Sequence, residues 1–247
     1  YSFGGESLVV RVVPSMGRYC RHAADRLSRH RGGTLQWTMH INVNHPLLHR
    51  IVDELVDQGW SHQSIFMPER LTTRLAEECR TRAVAGDLTP AAIGRGDGQV
   101  IREGIRGDLT QWLEPGESEA CDEYLGVMDS LRQALNASLF LGLEDFECHF
   151  ALYPPGAYYQ KHVDRFRDDD ARTVSAVLYL NDAWLPEHGG ALRLHLPQRQ
   201  VDIQPTGGSL VVFMSAGTEH EVLPASRDRL SLTGWFRRRN ESLLQLS

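Results

Sequence analysis

The apolar positions change character partway along the chain. In HPLLHRIVDELVDQGW, from residue 45, Leu48, Ile51, Val52, Leu55 and Val56 recur at helical spacing and predict a helix with one core-facing stripe. PERLTTRLAEECRTRA repeats the pattern with Leu71, Leu75 and Cys79, and Pro68 stands at a first-turn position. ESEACDEYLGVMDSLRQALNASL stacks Tyr124, Met128, Leu131 and Leu135 and predicts a third helix. After residue 145 the segments FECHFALYP, TVSAVLYLN, GALRLHLP, VDIQP, GSLVVFMS, EHEVLPA and RLSLTGWF are short and rich in β-branched or aromatic residues. Gly and Pro punctuate them at close intervals, as expected of strands. Helices first and strands second predict an α+β fold, with helical support over about 45–140 and a sandwich or jelly-roll barrel over about 145–238.

Between the second and third helices lies GDLTPAAIGRGDGQVIREGIRGDLTQW, a glycine-rich stretch that reads as a long mobile loop or ribbon. Its GRGDG is not a phosphate loop, because no Lys-Ser/Thr follows and no apolar strand precedes it. The Arg106-Gly-Asp108 tripeptide reads as a coincidence or a local ion pair rather than an adhesion signal.

Composition narrows the class. Hydrophobic content of 41% and charged content of 23% over 247 residues are those of an ordinary globular protein with enough chain for a core. A net charge of −6 argues against a nucleic-acid binder, and no apolar run of about 18 residues is present to cross a membrane. Cys20, Cys79, Cys121 and Cys148 form no CxxC pair and read as free thiols in a reducing cytoplasm. Residues 1–38 carry six Arg against Glu6 and Asp25 and show no sustained apolar face. They are expected to be a disordered, dispensable leader or upstream extension, with a basic organelle-targeting peptide as the alternative. Residues 39–247 are expected to form a single domain.

The candidate chemistry starts from His162-Val-Asp164. With 11 His and 16 Asp in the chain, such a triplet arises by chance often enough to prove nothing alone. On a strand, however, residues two apart face one side, so His162 and Asp164 can converge on one ion. His220, 56 positions beyond Asp164, would supply a third ligand from another strand. Two imidazoles and one carboxylate leave half of an octahedron open, the arrangement of non-haem Fe(II) oxygenases. His149, His188 and His195 compete for the same role; His195 alternates with leucines and is expected to face solvent, and His188 precedes Gly-Gly and reads as loop.

In RLSLTGW, Arg229, Ser231, Thr233 and Trp235 share one strand face and Leu230 and Leu232 the other. An inward guanidinium needs a buried anion, and it grips a carboxylate through two parallel hydrogen bonds. A dicarboxylate chelating the metal at one end would be held by Arg229 at the other.

With these residues assembled, the chain resembles the 2-oxoglutarate/Fe(II) oxygenases, and within them the prolyl 4-hydroxylase branch that includes the hypoxia-sensing prolyl hydroxylases and their bacterial relatives. The resemblance rests on IRGDLTQW at 105–112, LYPPGAYYQKHVD at 152–164, VLYLN at 177–181, GGALRL at 189–194 and HEVLPASRDRLSLTGWF at 220–236, and covers about residues 40–240. It implies a double-stranded β-helix with supporting N-terminal helices. It implies His162, Asp164 and His220 as iron ligands, Arg229 and Tyr179 on the distal carboxylate of 2-oxoglutarate with Thr233 beside them, and Leu192 as an apolar wall. Tyr153, Tyr159, Arg172, Trp112 and Trp235 match positions where a substrate proline enters. One departure concerns Tyr153: the segment from it to His162 is a residue shorter than in the animal enzymes. The acidic run at 168–170 falls in a loop of variable length and reads as a solvated turn.

The implied cofactors are Fe(II), 2-oxoglutarate and O2, with ascorbate as reductant. The implied reaction converts a prolyl residue in an exposed loop of a partner protein to 4-hydroxyproline, with succinate and CO2 as co-products. The bacterial relatives suggest elongation factor Tu as that partner, and the enzyme is expected to act as a monomer. Three rivals stand beside this reading. They are an oxygenase acting on a small molecule, a nucleobase or another side chain; a zinc hydrolase; and a metal-binding jelly roll without catalysis. The last two give no reason for the pairing of Arg229 with Tyr179.

Overall fold

The fold is taken from a computed structural model, which describes residues 45–91, 105–164 and 171–239. The leader 1–38, the middle of the glycine-rich stretch at 92–104 and the acidic run at 168–170 lie outside the described residues.

Three helices come first. α1 (Pro46–Gln58) opens on His45, whose Nδ1 accepts from Leu47 N, and closes on Gly59 at φ 80°, a left-handed stop that favours glycine. α2 (Glu69–Ala85) follows Pro68 and stops at Gly86. α3 (Glu119–Leu139) is capped by Ser118, whose side chain accepts from Cys121 N. The buried stripes are those the periodicity predicts: Leu48, Ile51, Val52 and Leu55 on α1, Leu71, Leu75 and Cys79 on α2, and Tyr124, Met128, Leu131 and Leu135 on α3. Val56 is the exception. It is 67% exposed, because the buried arc of this short helix ends at Leu55 and Val56 falls past its edge.

Among the described residues, eleven strands make two sheets. The larger takes the order β1-β9-β6-β11-β4-β3-β2 and the smaller β5-β10-β7-β8, with every ladder antiparallel. In chain order the strands are β1 (Trp60–Gln63), β2 (Thr89–Pro90), β3 (Leu109–Trp112), β4 (Leu143–Tyr153), β5 (Tyr159–His162), β6 (Arg172–Tyr179), β7 (Leu192–Leu196), β8 (Arg199–Ile203), β9 (Leu210–Met214), β10 (Glu219–Val222) and β11 (Arg229–Arg238). The architecture is the double-stranded β-helix with helical support. The sequence reading missed β1, which is short and sits directly after α1. It also took β3 as part of a loop, because glycines precede it. β3 is nevertheless paired with β4 from Leu109↔Leu152 to Trp112↔His149.

The larger sheet is buried on both faces, and residue parity decides the face. Cys148, Phe150, Leu152, Val174, Ala176, Leu178, Leu230, Leu232 and Phe236 pack with the helices in one apolar cluster. The alternate residues Ala151, Tyr153, Val177 and Tyr179 face the smaller sheet and pack with Leu192, Leu194 and Val222 in another. The helices therefore hold the back of a sheet whose front forms the barrel interior. Asn181 fastens the start of β11: its side-chain amide donates to Leu230 O and Pro205 O, and its oxygen accepts from Leu230 N.

The barrel is closed at one end by residues 105–112. Ile105 O accepts from Gln160 N and Gly107 N donates to Tyr158 O, which adds this backbone to the free edge of β5. The chain then turns at Asp108 and enters β3 beside β4. Arg106 and Asp108 form a bidentate ion pair at the turn, with Nε–Oδ1 at 2.7 Å and Nη2–Oδ2 at 2.5 Å. The local ion-pair reading of this tripeptide is the one the structure supports.

The helical backing carries a simple test. Leu135 is fully buried in the cluster beneath the larger sheet, so Leu135→Ala is expected to lower unfolding free energy by about 2–5 kcal/mol. Val56→Ala on the exposed side of α1 is expected to stay within about 0.5 kcal/mol of the parent. Urea unfolding midpoints of the two variants check both values.

Candidate active site and metal centre

The inward parity of β4, β6 and β11 points His149 and Tyr153, Ser175 and Val177, and Arg229, Thr233 and Trp235 toward the space between the sheets. A cavity of about 560 Å³ opens there. Its lining includes His162, Asp164, His220, Arg229, Thr233 and Leu192. Tyr153, Tyr159, Arg172, Trp112 and Trp235 line it as well. Of the residues singled out from the sequence, Tyr179 alone does not reach the open cavity. It is fully buried below it, with its ring centroid 5.1 Å from the Arg229 guanidinium carbon.

His162 ends β5 and stands in register with His220 on β10. Asp164 lies two residues past the end of β5, so it is not on the strand, although it still converges on the two imidazoles. One ligand atom from each of the three lies within 4.8 Å of the others. Asp164 Oδ1 is 3.5 Å from His162 Nε2 and Oδ2 is 3.7 Å from His220 Nε2. The ring tautomers follow from backbone contacts. His162 Nδ1 is 2.7 Å from Gln160 O, and His220 Nδ1 is 3.1 Å from Thr218 O. A carbonyl only accepts, so each Nδ1 carries the proton and each Nε2 presents a lone pair to the space shared with Asp164. Burial holds His220 neutral by lowering its pKa, against the pull of Asp164. Burial works to raise the Asp164 pKa, but the neighbouring His220, His162 and Trp235 outweigh it and hold the carboxyl well below the usual range. A neutral imidazole at His220 and an ionised carboxylate at Asp164 are protonation states that favour binding a divalent cation.

Deeper in the barrel the chemistry is that of an anion site. Arg229 is 1% exposed and, among the described residues, faces no carboxylate. Its Nε donates to Gly190 O at 2.8 Å, while Nη2 is buried without a partner. The hydroxyls of Tyr179 and Ser231 are also buried and unpartnered. Burial pushes the Tyr179 phenol up to about 12, against Arg229, so it remains a donor. Three orphaned donors around a buried cation fit a carboxylate, which accepts several hydrogen bonds at once. Gly190 permits this approach. It sits at φ 71°, and a Cβ there would meet Ala225 Cβ at 2.9 Å and Arg229 Cδ at 3.3 Å.

The mouth of the cavity is aromatic. Trp112, 47% exposed, lies with its ring centroid 6.1 Å from that of Trp235 and 5.0 Å from that of His149. Arg172 lies over Trp235, with its guanidinium carbon 3.6 Å from the ring centroid, and donates to Glu147. Arg237 holds the other oxygen of Glu147 at 2.8 Å. Tyr159 stacks on the His162 ring at 3.6 Å, with Arg106 over its opposite side at 4.5 Å. The competing histidines separate clearly. His149 is buried in the cavity wall, and burial pulls its pKa down to about 4, so it is neutral there, but it is outside the ligand cluster. His195 faces outward against Glu221, and His188 sits in the 3-10 turn Pro186–His188.

A two-His, one-carboxylate donor set beside a buried anion site in a double-stranded β-helix defines a class of metal-dependent oxygenase folds. The 2OG-Fe(II) oxygenase superfamily profile matches residues 148–237. A Pseudomonas putida prolyl-4-hydroxylase is 58% identical, with TM-score 0.73, over 78% of this chain and 100% of that one. A prolyl hydroxylase from Trichoplax adhaerens, solved with a hypoxia inducible factor oxygen degradation domain peptide fragment, is 27% identical with TM-score 0.70, over 81% of this chain and 92% of that one. The hypoxia-inducible factor prolyl hydroxylase of Caenorhabditis elegans is 36% identical over 148 residues, which are 56% of this chain and 20% of that protein. The chain thus spans about a fifth of the length of the curated relative it matches. The chain belongs to the 2OG-Fe(II) oxygenase superfamily, in its prolyl 4-hydroxylase branch, a family that uses Fe(II), 2-oxoglutarate and O2.

Glu147 and Ser175 carried no assigned role in the sequence reading, which placed Ser231 only on the face of Arg229, His149 only as a competing ligand and the Arg106–Asp108 pair only as a local contact. Strand parity finds Ser231, His149, Glu147 and Ser175, since Glu147 and His149 share the inward parity of Tyr153, Ser175 that of Tyr179 and Ser231 that of Arg229. Nothing local marks Asp108, whose side chain is fully buried only because residues 105–112 bridge the two sheets. Asp108→Asn leaves the Arg106 guanidinium short of its charge partner in a largely buried pair. It is expected to cost about 3–5 kcal/mol in urea unfolding.

Proposed function

We propose that the protein hydroxylates a prolyl residue in an exposed loop of a partner protein, giving 4-hydroxyproline, with 2-oxoglutarate leaving as succinate and CO2. The observation that carries the reading is the buried, carboxylate-free Arg229 with the orphaned hydroxyls of Tyr179 and Ser231, set in the same cavity as the His162, Asp164 and His220 cluster. His162, Asp164 and His220 would hold the metal. Arg229, Tyr179 and Ser231 would hold the distal carboxylate of 2-oxoglutarate, with Thr233 beside them, Leu192 as an apolar wall and Tyr153 across the cavity. Iron(II) with 2-oxoglutarate and O2 supplies the oxidant for an unactivated C–H bond. The chain's own part is to bind, orient and exclude water. Trp112, Tyr159 and Trp235 offer apolar faces to a compact ring, and Arg172, held by Glu147, offers donors to a backbone carbonyl beside it.

The relatives named above support a protein rather than a small molecule as substrate, and we take elongation factor Tu as the partner to test first. Ascorbate is the reductant we assign. We further propose that residues 39–247 act as one monomeric domain in the cytoplasm, with residues 1–38 dispensable. The free, buried state of Cys79, Cys121 and Cys148 supports a reducing compartment.

The test incubates the protein with Fe(II), ascorbate, 2-oxoglutarate and purified elongation factor Tu, then with host lysate, and maps the gain of one oxygen atom by mass spectrometry. A gain at a proline is expected. A gain only on another side chain, or succinate release stimulated only by a small molecule, overturns the prolyl reading. His162→Ala, Asp164→Ala and His220→Ala are each expected to abolish turnover. Arg229→Ala removes a charged hydrogen-bonded contact of about 1.5–3 kcal/mol, so 2-oxoglutarate affinity is expected to fall about tenfold to a hundredfold while metal affinity holds. Calorimetric titration with each ligand separates the two.

A further inference from the structure

Asp164 is the one member of the ligand cluster with no strand beneath it. His162 closes β5 and His220 lies within β10, whereas Asp164 falls two residues beyond β5. A carboxylate on irregular backbone turns about two side-chain torsions, the second of them broad, so its oxygens need an external anchor to meet a metal in one orientation. We propose that Ser175 and Ser215 are positioning residues, a pair of hydroxyls that sets the rotation of the Asp164 carboxylate. Ser175 Oγ donates to Asp164 Oδ2 at 2.7 Å, and Ser215 Oγ lies 2.8 Å from Ser175 Oγ.

The direction of the relay follows from proton inventory. An ionised carboxylate only accepts, so the single Ser175 proton goes to Asp164. The Ser175 oxygen is then an acceptor, and Ser215 is its donor. The bond to Asp164 is charge-assisted, which makes it the stronger of the two. Both serines are fully buried, so bulk water does not compete for either bond. Each is also fixed in the larger sheet. Ser175 lies on β6 between β11 and β9, opposite Trp235 and Phe213, and Ser215 N donates to Thr173 O at 3.1 Å just past the end of β9. The relay thereby ties a ligand outside the ladders to a strand of the larger sheet that is paired on both sides. Ligand carboxylates held in this way bind metal more tightly, because less rotational freedom is lost on binding.

This inference rests on the metal reading above, and its test reads metal binding rather than turnover. Metal-free full-length protein is titrated with Mn(II) and followed by electron paramagnetic resonance, alongside the melting temperature of the metal-free form. Ser175→Ala is expected to weaken Mn(II) binding about tenfold to a hundredfold and to alter the bound-metal line shape. Ser215→Ala, one step removed, is expected to weaken it about twofold to tenfold, the effect of one neutral hydrogen bond. Mn(II) affinity and line shape equal to the parent's in Ser175→Ala overturn the proposal, and so does a change confined to the melting temperature. If Ser175→Ala does not accumulate as folded protein, Ser215→Ala decides, and an affinity equal to the parent's overturns the relay. A parent that binds no Mn(II) overturns the metal reading itself, an outcome distinct from a parent that binds while Ser175→Ala binds equally well.

Discussion

The site turns on a charge the protein leaves incomplete. A guanidinium buried in low dielectric costs several kcal/mol unless an anion or a full set of acceptors meets it. Arg229 receives one backbone carbonyl, from Gly190, and no carboxylate among the described residues. Such an arrangement persists only if the surroundings hold it firmly and an anionic ligand completes it. The surroundings do hold it. β11 is laddered on both sides by β4 and β6, its other face is packed by the helices, and Asn181 pins Leu230, the next residue. An anion that completed the charge would stabilise the folded state by mass action, and on the assignment of Arg229 proposed above this would link stability to 2-oxoglutarate binding.

The same constraint explains the two-sided sheet. A strand with one wet face could not keep Arg229, Tyr179 and Ser231 dry on the other without also spending its apolar residues there. Here the even-numbered positions of β4, β6 and β11 face the helices and supply the packing. The odd-numbered positions are then free to carry polar chemistry. The site is polar because the back of the sheet is not.

Much of this was legible in the sequence because parity and periodicity are local. The helical stripes of α1, α2 and α3 and the inward set on β11 follow from spacing alone. What spacing missed depends on partners far away in the chain. β3 became a strand because β4 offers it a ladder, which its own glycine-rich context does not announce. Val56 fell outside the core because none of the described residues packs over that side of α1. Asp164 reached the cluster from beyond its strand, so the pair converges for a reason other than the strand spacing that suggested it. The Arg106–Asp108 pair could be read as a local contact, but its burial could not, since that arises only when residues 105–112 cross between the sheets.

That crossing also sets how the two halves of the site communicate. The imidazoles belong to the smaller sheet and the anion pocket to the larger, and a metal and a dicarboxylate must be placed relative to one another across the gap. Beside the apolar packing between the sheets and the Arg229–Gly190 bond, two further features span it. Residues 105–112 join β5 to β4 on one side, with Arg106 pressed on Tyr159 and Tyr159 on His162. Ser175 reaches from β6 to Asp164 on the other. Neither belongs to the donor set, yet each fixes a donor against the sheet that carries Arg229. A double-stranded β-helix with the same three ligands and the same arginine, but without these contacts, would rely on the apolar packing between the sheets and on the Arg229–Gly190 bond to set the two halves relative to each other. Misplacement of about 1 Å is enough to cost a reaction of this kind two orders of magnitude. The contacts between the sheets, more than the ligands themselves, are therefore where this fold converts a binding site into an oriented one.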